Sequence, residues 1–72
     1  MRNLLSKLKP EYLELLEVDS EKYPSLITSI KTELSNNYFF TELSVNTAFQ
    51  ICNFCKLNFG VVELHSLFLR DE

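Results

Sequence analysis

Pro24-Ser-Leu-Ile-Thr-Ser-Ile-Lys-Thr-Glu-Leu-Ser-Asn-Asn37 is the stretch that decides the fold class. Leu26, Ile27, Ile30 and Leu34 stand at i, i+1, i+4 and i+8, the stripe of an amphipathic helix rather than the alternation of a strand. Pro24 suits a first helical turn, where its missing N–H is no loss. Asn36 and Asn37 tolerate the left-handed conformation that often closes a helix. The spacing predicts a helix that starts near Pro24 and stops at the asparagine pair.

Upstream, Leu5, Leu8, Tyr12, Leu15 and Leu16 fall on one helical face. Pro10 can open a helix over 10–18, with Leu4, Leu5 and Leu8 in a short lead-in turn or helix and Asp19 and Ser20 ending it. Downstream, Tyr38-Phe39-Phe40 reads as an apolar connector that plugs the end of the core. Ser44 is a good N-cap for a third helix, with Leu43 placed for a staple contact. Val45, Ala48, Phe49, Cys52, Cys55 and Phe59 are expected to form its buried face, and Asn58 and Gly60 punctuate its end. Val61 to Leu69 reads as a short helix through Val61, Leu64 and Phe68. A strand is the rival because Val61 and Val62 are β-branched, but no other strand is on hand to pair with it. With one Gly and two Pro, hairpin signals are few. The expected fold is all-α, a single domain over 1–72 with three or four short helices. Leu15, Ile30, Leu34, Phe49, Cys52 and Phe68 are its expected core.

A chain of 72 residues allows one domain, and one that small buries only about 60% of its unfolded surface. Yet 46% of its residues are hydrophobic, on the high side for a globular protein. The excess is either scattered over the surface or covered by a partner or a second copy. Between Ser35 and Val62 the only charged residues are Glu42 and Lys56, so that stretch is core, interface or both. The net charge of −3 argues against direct nucleic-acid binding through a clustered basic face. No apolar run approaches the ~20 residues of a bilayer span. Ser6, Lys7 and Lys9 interrupt the N-terminal apolar residues, which argues against a signal peptide. Two closely spaced cysteines do not make a secreted disulfide framework, and cytoplasm is the expected compartment.

No catalytic or cofactor constellation stands out. Cys52-Asn-Phe-Cys55 is a C-x-x-C with His65 ten residues on. Zinc would need a fourth ligand from Glu63 or from outside. A thioredoxin-type site would need the cysteines at a helix N-terminus after a strand. The favoured reading is core packing of two small apolar thiols, with no metal and no cofactor. His65 has no nucleophile or acid partner in a recognisable motif, and the chain is read as non-enzymatic. Glu11, Glu14, Glu17, Asp19 and Glu21 form either a solvated face or a docking patch for a basic surface. Asn46, Gln50 and Asn53, at i, i+4 and i+7, form an amide stripe. It suits solvent, a protein contact or base edges, since amides donate and accept at once.

Ser44-Val-Asn-Thr-Ala-Phe-Gln-Ile-Cys-Asn, followed by Val62-Glu-Leu-His-Ser-Leu-Phe, resembles the C-terminal part of lambda-repressor-like helix-turn-helix domains. The family often carries a Ser-x-x-Thr helix entry, an Ile-Cys within the helix and a terminal helix ending in Leu-Phe. The family's Ala and Gly positions have no counterpart around Pro24 to Asn37. The resemblance implies a helical packing arrangement, and a DNA-binding regulator is the alternative function.

The leading functional expectation is a binding module that docks on a larger protein, or on a protein–nucleic-acid complex, and modulates it stoichiometrically. Tyr38, Phe39 and Phe40 are the expected anchors. Asn46, Gln50 and Asn53, or Glu14, Glu17 and Glu21, are expected to set specificity. A homodimer is a further possibility. Small size, acidity and an AT-rich coding style suit a phage or mobile-element inhibitor of host defence, of anti-restriction or anti-CRISPR type.

Overall fold

Each proline opens a helix where the sequence places it. The computed structural model describes residues 2–70. Its helices are α1 (Leu4–Lys7), α2 (Pro10–Ser20), α3 (Pro24–Ser35), α4 (Val45–Phe54) and α5 (Val61–Ser66), with a 3₁₀ turn at Phe40–Glu42 before α4. The fold is an all-α bundle, and the described residues contain no strand, only one isolated bridge.

α3 packs against α1, α2 and α4, and α4 packs in turn on α2 and α5. Ile27, Ile30 and Leu34 on α3 are at most 1% exposed. They meet Leu4, Leu8, Leu16, Ile51, Cys52 and Leu67 in one apolar cluster. Leu15 and Phe68, expected inside, are partly buried at its edge. Full burial of one such aliphatic side chain is worth about 1.5–3 kcal/mol, so α3 is the organising element.

The ends of α2 and α3 differ from the sequence reading. α2 continues through Asp19 and Ser20, where Ser20 Oγ donates to the Glu17 carbonyl at 2.6 Å. This local bond satisfies the hydroxyl without breaking the turn. Asn36 closes α3 in the right-handed region (φ −94°), not the left-handed one. Asn37 Nδ2 caps the Glu33 carbonyl at 2.8 Å, and the Asn37 carbonyl accepts from Leu4 N at 2.9 Å.

Ser44 caps α4 as expected, its Oγ accepting from Thr47 N at 3.1 Å. The helix is nevertheless rotated from its expected face. Thr47, Ala48, Ile51, Cys52, Phe54 and Cys55 point inward. Val45, Phe49 and Phe59 are 74%, 50% and 51% exposed, so Phe49 is not core. The cause lies on α3. The Glu33 carboxylate accepts from Ser44 N (2.7 Å) and Thr47 Oγ1 (2.9 Å), which turns the Thr47 side toward α3. With its hydroxyl paired, Thr47 can be buried. Phe49 instead packs edge-on against Phe59, centroids 5.8 Å apart.

α5 stops at Ser66 rather than reaching Leu69. The chain then runs extended beside the join of α1 and α2. Lys9 N donates to the Leu67 carbonyl (3.0 Å) and Leu69 N to the Lys7 carbonyl (2.7 Å), around an antiparallel Leu8–Phe68 bridge. These two bonds tie the chain's two end regions together.

Candidate functional site

The connector Tyr38-Phe39-Phe40 is fixed at three points. Glu42 Oε1 accepts from Tyr38 N at 2.8 Å and from Phe39 N at 2.9 Å. These two backbone N–H groups hold the Glu42 carboxyl below its ordinary value, because they favour the charged form. Lys7, only 7% exposed, sends Nζ to the Tyr38 carbonyl at 2.9 Å and lies 5.9 Å from the Phe39 ring centroid. Phe40 turns inward, packs on the core and meets His65 edge-on at 4.5 Å. The expectation that the connector plugs the core holds for Phe40 alone. Tyr38 and Phe39 stay 43% and 53% exposed although their backbone is pinned.

These rings border a groove of about 690 Å³. Leu4, itself buried, is among its lining residues. Tyr38, Phe39 and Phe40 form one side, and Lys7 and Lys9 at the α1–α2 join stand nearby. Val62, His65 and Ser66 of α5 and the extended run Phe68, Leu69, Arg70 complete it. Among the described residues that line it there is no Asp or Glu. Val62 and Leu69 are 74% and 43% exposed, so the groove offers apolar surface from three elements.

The other candidate docking residues do not join this surface. Glu14, Glu17 and Glu21 lie exposed along α2 and its C-cap, and Glu17 is paired with Lys31 of α3. Asn46 and Asn53 are exposed on α4 and Gln50 is half-buried. None of the six lines the groove. The acidic and amide stripes are separate features of α2 and α4.

The cysteines lie in the core. Cys52 and Cys55 are free thiols at 0% and 3% exposure. Burial, the neighbouring Cys52 and the Asp19 carboxylate push the Cys55 thiol up to about 12. Burial raises Cys52 as well, against a backbone hydrogen bond from Gly60. Neither is the low-pKa thiolate that nucleophilic or redox chemistry uses. Among the described residues no three His, Cys, Asp or Glu side chains come together as a metal site would need. His65 turns to Phe40 instead.

Sequence reasoning found the aromatic side of the groove and missed the rest. Lys7, Lys9, Val62, Phe68, Leu69 and Arg70 come from the two end regions, and no local spacing marks them as neighbours. No family model, curated protein or solved structure matches the chain. Its function is argued from this site alone.

Proposed function

We propose that the chain is a non-enzymatic protein-binding module that docks stoichiometrically on a larger protein through the groove bordered by Tyr38 and Phe39. The observation that carries this reading is the pairing of exposure with fixation. Both rings stand open to solvent while Glu42 and Lys7 hold their backbone. An aromatic anchor held in place before binding loses less freedom on docking, and aromatics are the side chains most often found at binding hot spots.

The bound protein is modulated or blocked by occupancy, and no chemistry of this chain is required. No helix among the described residues is long and apolar enough to cross a membrane, which fits a cytoplasmic partner. The small acidic chain also fits a phage or mobile-element inhibitor of host machinery. A duplex-reading role has less support, because Glu11, Glu14 and Glu17 on the open side of α2 would repel phosphates.

The test uses the immobilised chain, an extract of its native cells and mass spectrometry of what it retains. A protein held by the wild type at equal stoichiometry and lost by Y38A/F39A, with unchanged helical circular dichroism, is the expected result. F49A, on a surface away from the groove lining, should retain it. Equal retention by Y38A/F39A would overturn the reading.

A further inference from the structure

Separately from the docking groove, we infer that the chain pairs with a second copy of itself through the outer face of α4. The two helices run antiparallel about a two-fold axis near Phe49. The stripe that α4 turns outward is Asn46, Phe49 and Asn53, at i, i+3 and i+7, and all three are exposed. Neighbours widen its apolar centre. Val45, one turn before Phe49, is 74% exposed, and Phe59, in edge-on contact with Phe49, is 51% exposed. Val61, two residues beyond Phe59 at the start of α5, is 66% exposed. Scattered surface apolars need no explanation, but a group built round two touching rings does.

The order of this stripe says what covers it. A two-fold contact requires a patch to match its own rotated image. Asn46 and Asn53 stand equally far along the helix from the point between Phe49 and Gln50. Two copies of α4 laid antiparallel across that point set Asn46 of each against Asn53 of the other, with the Phe49 rings in the middle. Each amide donates and accepts at once, so such a pair satisfies itself. The charges obey the same symmetry. Between Ser35 and Val62 the chain carries only Glu42 and Lys56. Glu42 precedes α4 and Lys56 follows it. Antiparallel pairing brings each toward its opposite on the second copy, whereas parallel pairing would set like against like. α4 itself holds no charged residue, so its face brings no like charge into contact although each chain carries a net charge of −3.

The face fits a weak dimer in size. The two half-open phenylalanine rings together expose roughly 200 Å². The valines and amides extend this toward the roughly 600 Å² per partner of transient interfaces, short of the roughly 800 Å² of standard ones. The expected pair is reversible, with a dissociation constant in the micromolar range.

Sedimentation equilibrium of the full chain tests the pairing. The weight-average mass should rise with concentration from the monomer toward twice that mass and no further. F49E, at a half-exposed position, should stay monomeric while its thermal unfolding by circular dichroism stays cooperative. N46D/N53D, both at exposed positions, sets two pairs of like charges across the contact and should weaken it at least about tenfold. Cysteine pairing reads the arrangement, because the native Cys52 and Cys55 are buried and out of reach. Tagged N46C mixed with untagged N53C should oxidise to the mixed dimer in large excess over either like pair. A monomer at every concentration, growth beyond the dimer, or N46D/N53D or folded F49E pairing as tightly as the wild type would overturn the inference. Like pairs in excess over the mixed dimer would overturn the antiparallel arrangement on which it rests.

Discussion

Lys56 sits at φ 62°, the one non-glycine residue among those described with a positive φ. It follows the C-cap of α4, where Leu57 N donates to the Cys52 carbonyl (2.9 Å) and Lys56 N to the Asn53 carbonyl (3.1 Å). This is the Schellman pattern, whose left-handed position is normally glycine. Lys56→Gly should therefore stabilise the chain by about 1 kcal/mol, offset in part by glycine's greater freedom when unfolded. Thermal circular dichroism checks it, with a midpoint higher by a few degrees expected. At the same scale, burial and the raised Cys55 thiol predict that native protein resists Ellman's reagent at neutral pH. Labelling should accelerate only as urea unfolds the chain, and rapid labelling of folded protein would contradict the core placement. The Ser44 cap was legible in the sequence because capping is a local hydroxyl-to-backbone bond. The closure at Asn36 was not, since Asn37 gives its carbonyl to Leu4, more than thirty residues upstream in the chain.

α4 shows why an element can be legible while its orientation is not. Val45, Ala48, Phe49, Cys52, Cys55 and Phe59 are a plausible stripe on hydrophobicity alone, and Ala48, Cys52 and Cys55 of it are buried. Ile51 and Phe54 form an equally good one with Ala48 and Cys55. The choice was made by Glu33, whose carboxylate grips Ser44 and Thr47 from the neighbouring helix. Ile51→Ala should cost about 2–5 kcal/mol, as for other buried aliphatics. Phe49→Ala, half exposed, should cost about 1 kcal/mol or less. Urea midpoints compare the two, and a larger loss for Phe49 would restore the stripe expected from sequence. The same grip predicts a pH dependence. Burial raises the Glu33 pKa, but the Ser44 N–H, Thr47 hydroxyl and Ser44 hydroxyl bonds together outweigh it and leave it lowered. Glu42 is lowered too, by Phe39 and Tyr38 N–H groups. The unfolded carboxyls, at their ordinary 4.5, take up protons first as pH falls. Their stabilisation is therefore complete above that value and is lost as pH drops through the lowered folded values. The urea midpoint of E33Q/E42Q should fall less steeply than that of the wild type below pH 4.5.

At the scale of the molecule, the join between the two end regions decides both stability and site. Leu67 is 0% exposed and follows α5, next to the Leu8–Phe68 bridge. A chain of this length holds only roughly 4–11 kcal/mol of stability, and Leu67→Ala should remove about 2–5 kcal/mol of it. A large loss of folded helix by circular dichroism near physiological temperature is expected, and an unchanged melting curve would mean the end regions are not coupled. By itself the sequence determined the helical class, the proline starts of α2 and α3, the Ser44 cap, the α3 core stripe and the aromatic connector. Each follows from interactions within a few residues, where spacing and side-chain chemistry suffice. Only the tertiary structure decided which side of α4 faces inward, which connector ring is buried, and that Lys9 and Arg70 share a groove with Tyr38 and Phe39. Those outcomes depend on groups far apart in the chain competing for one small interior, and no local pattern records who wins.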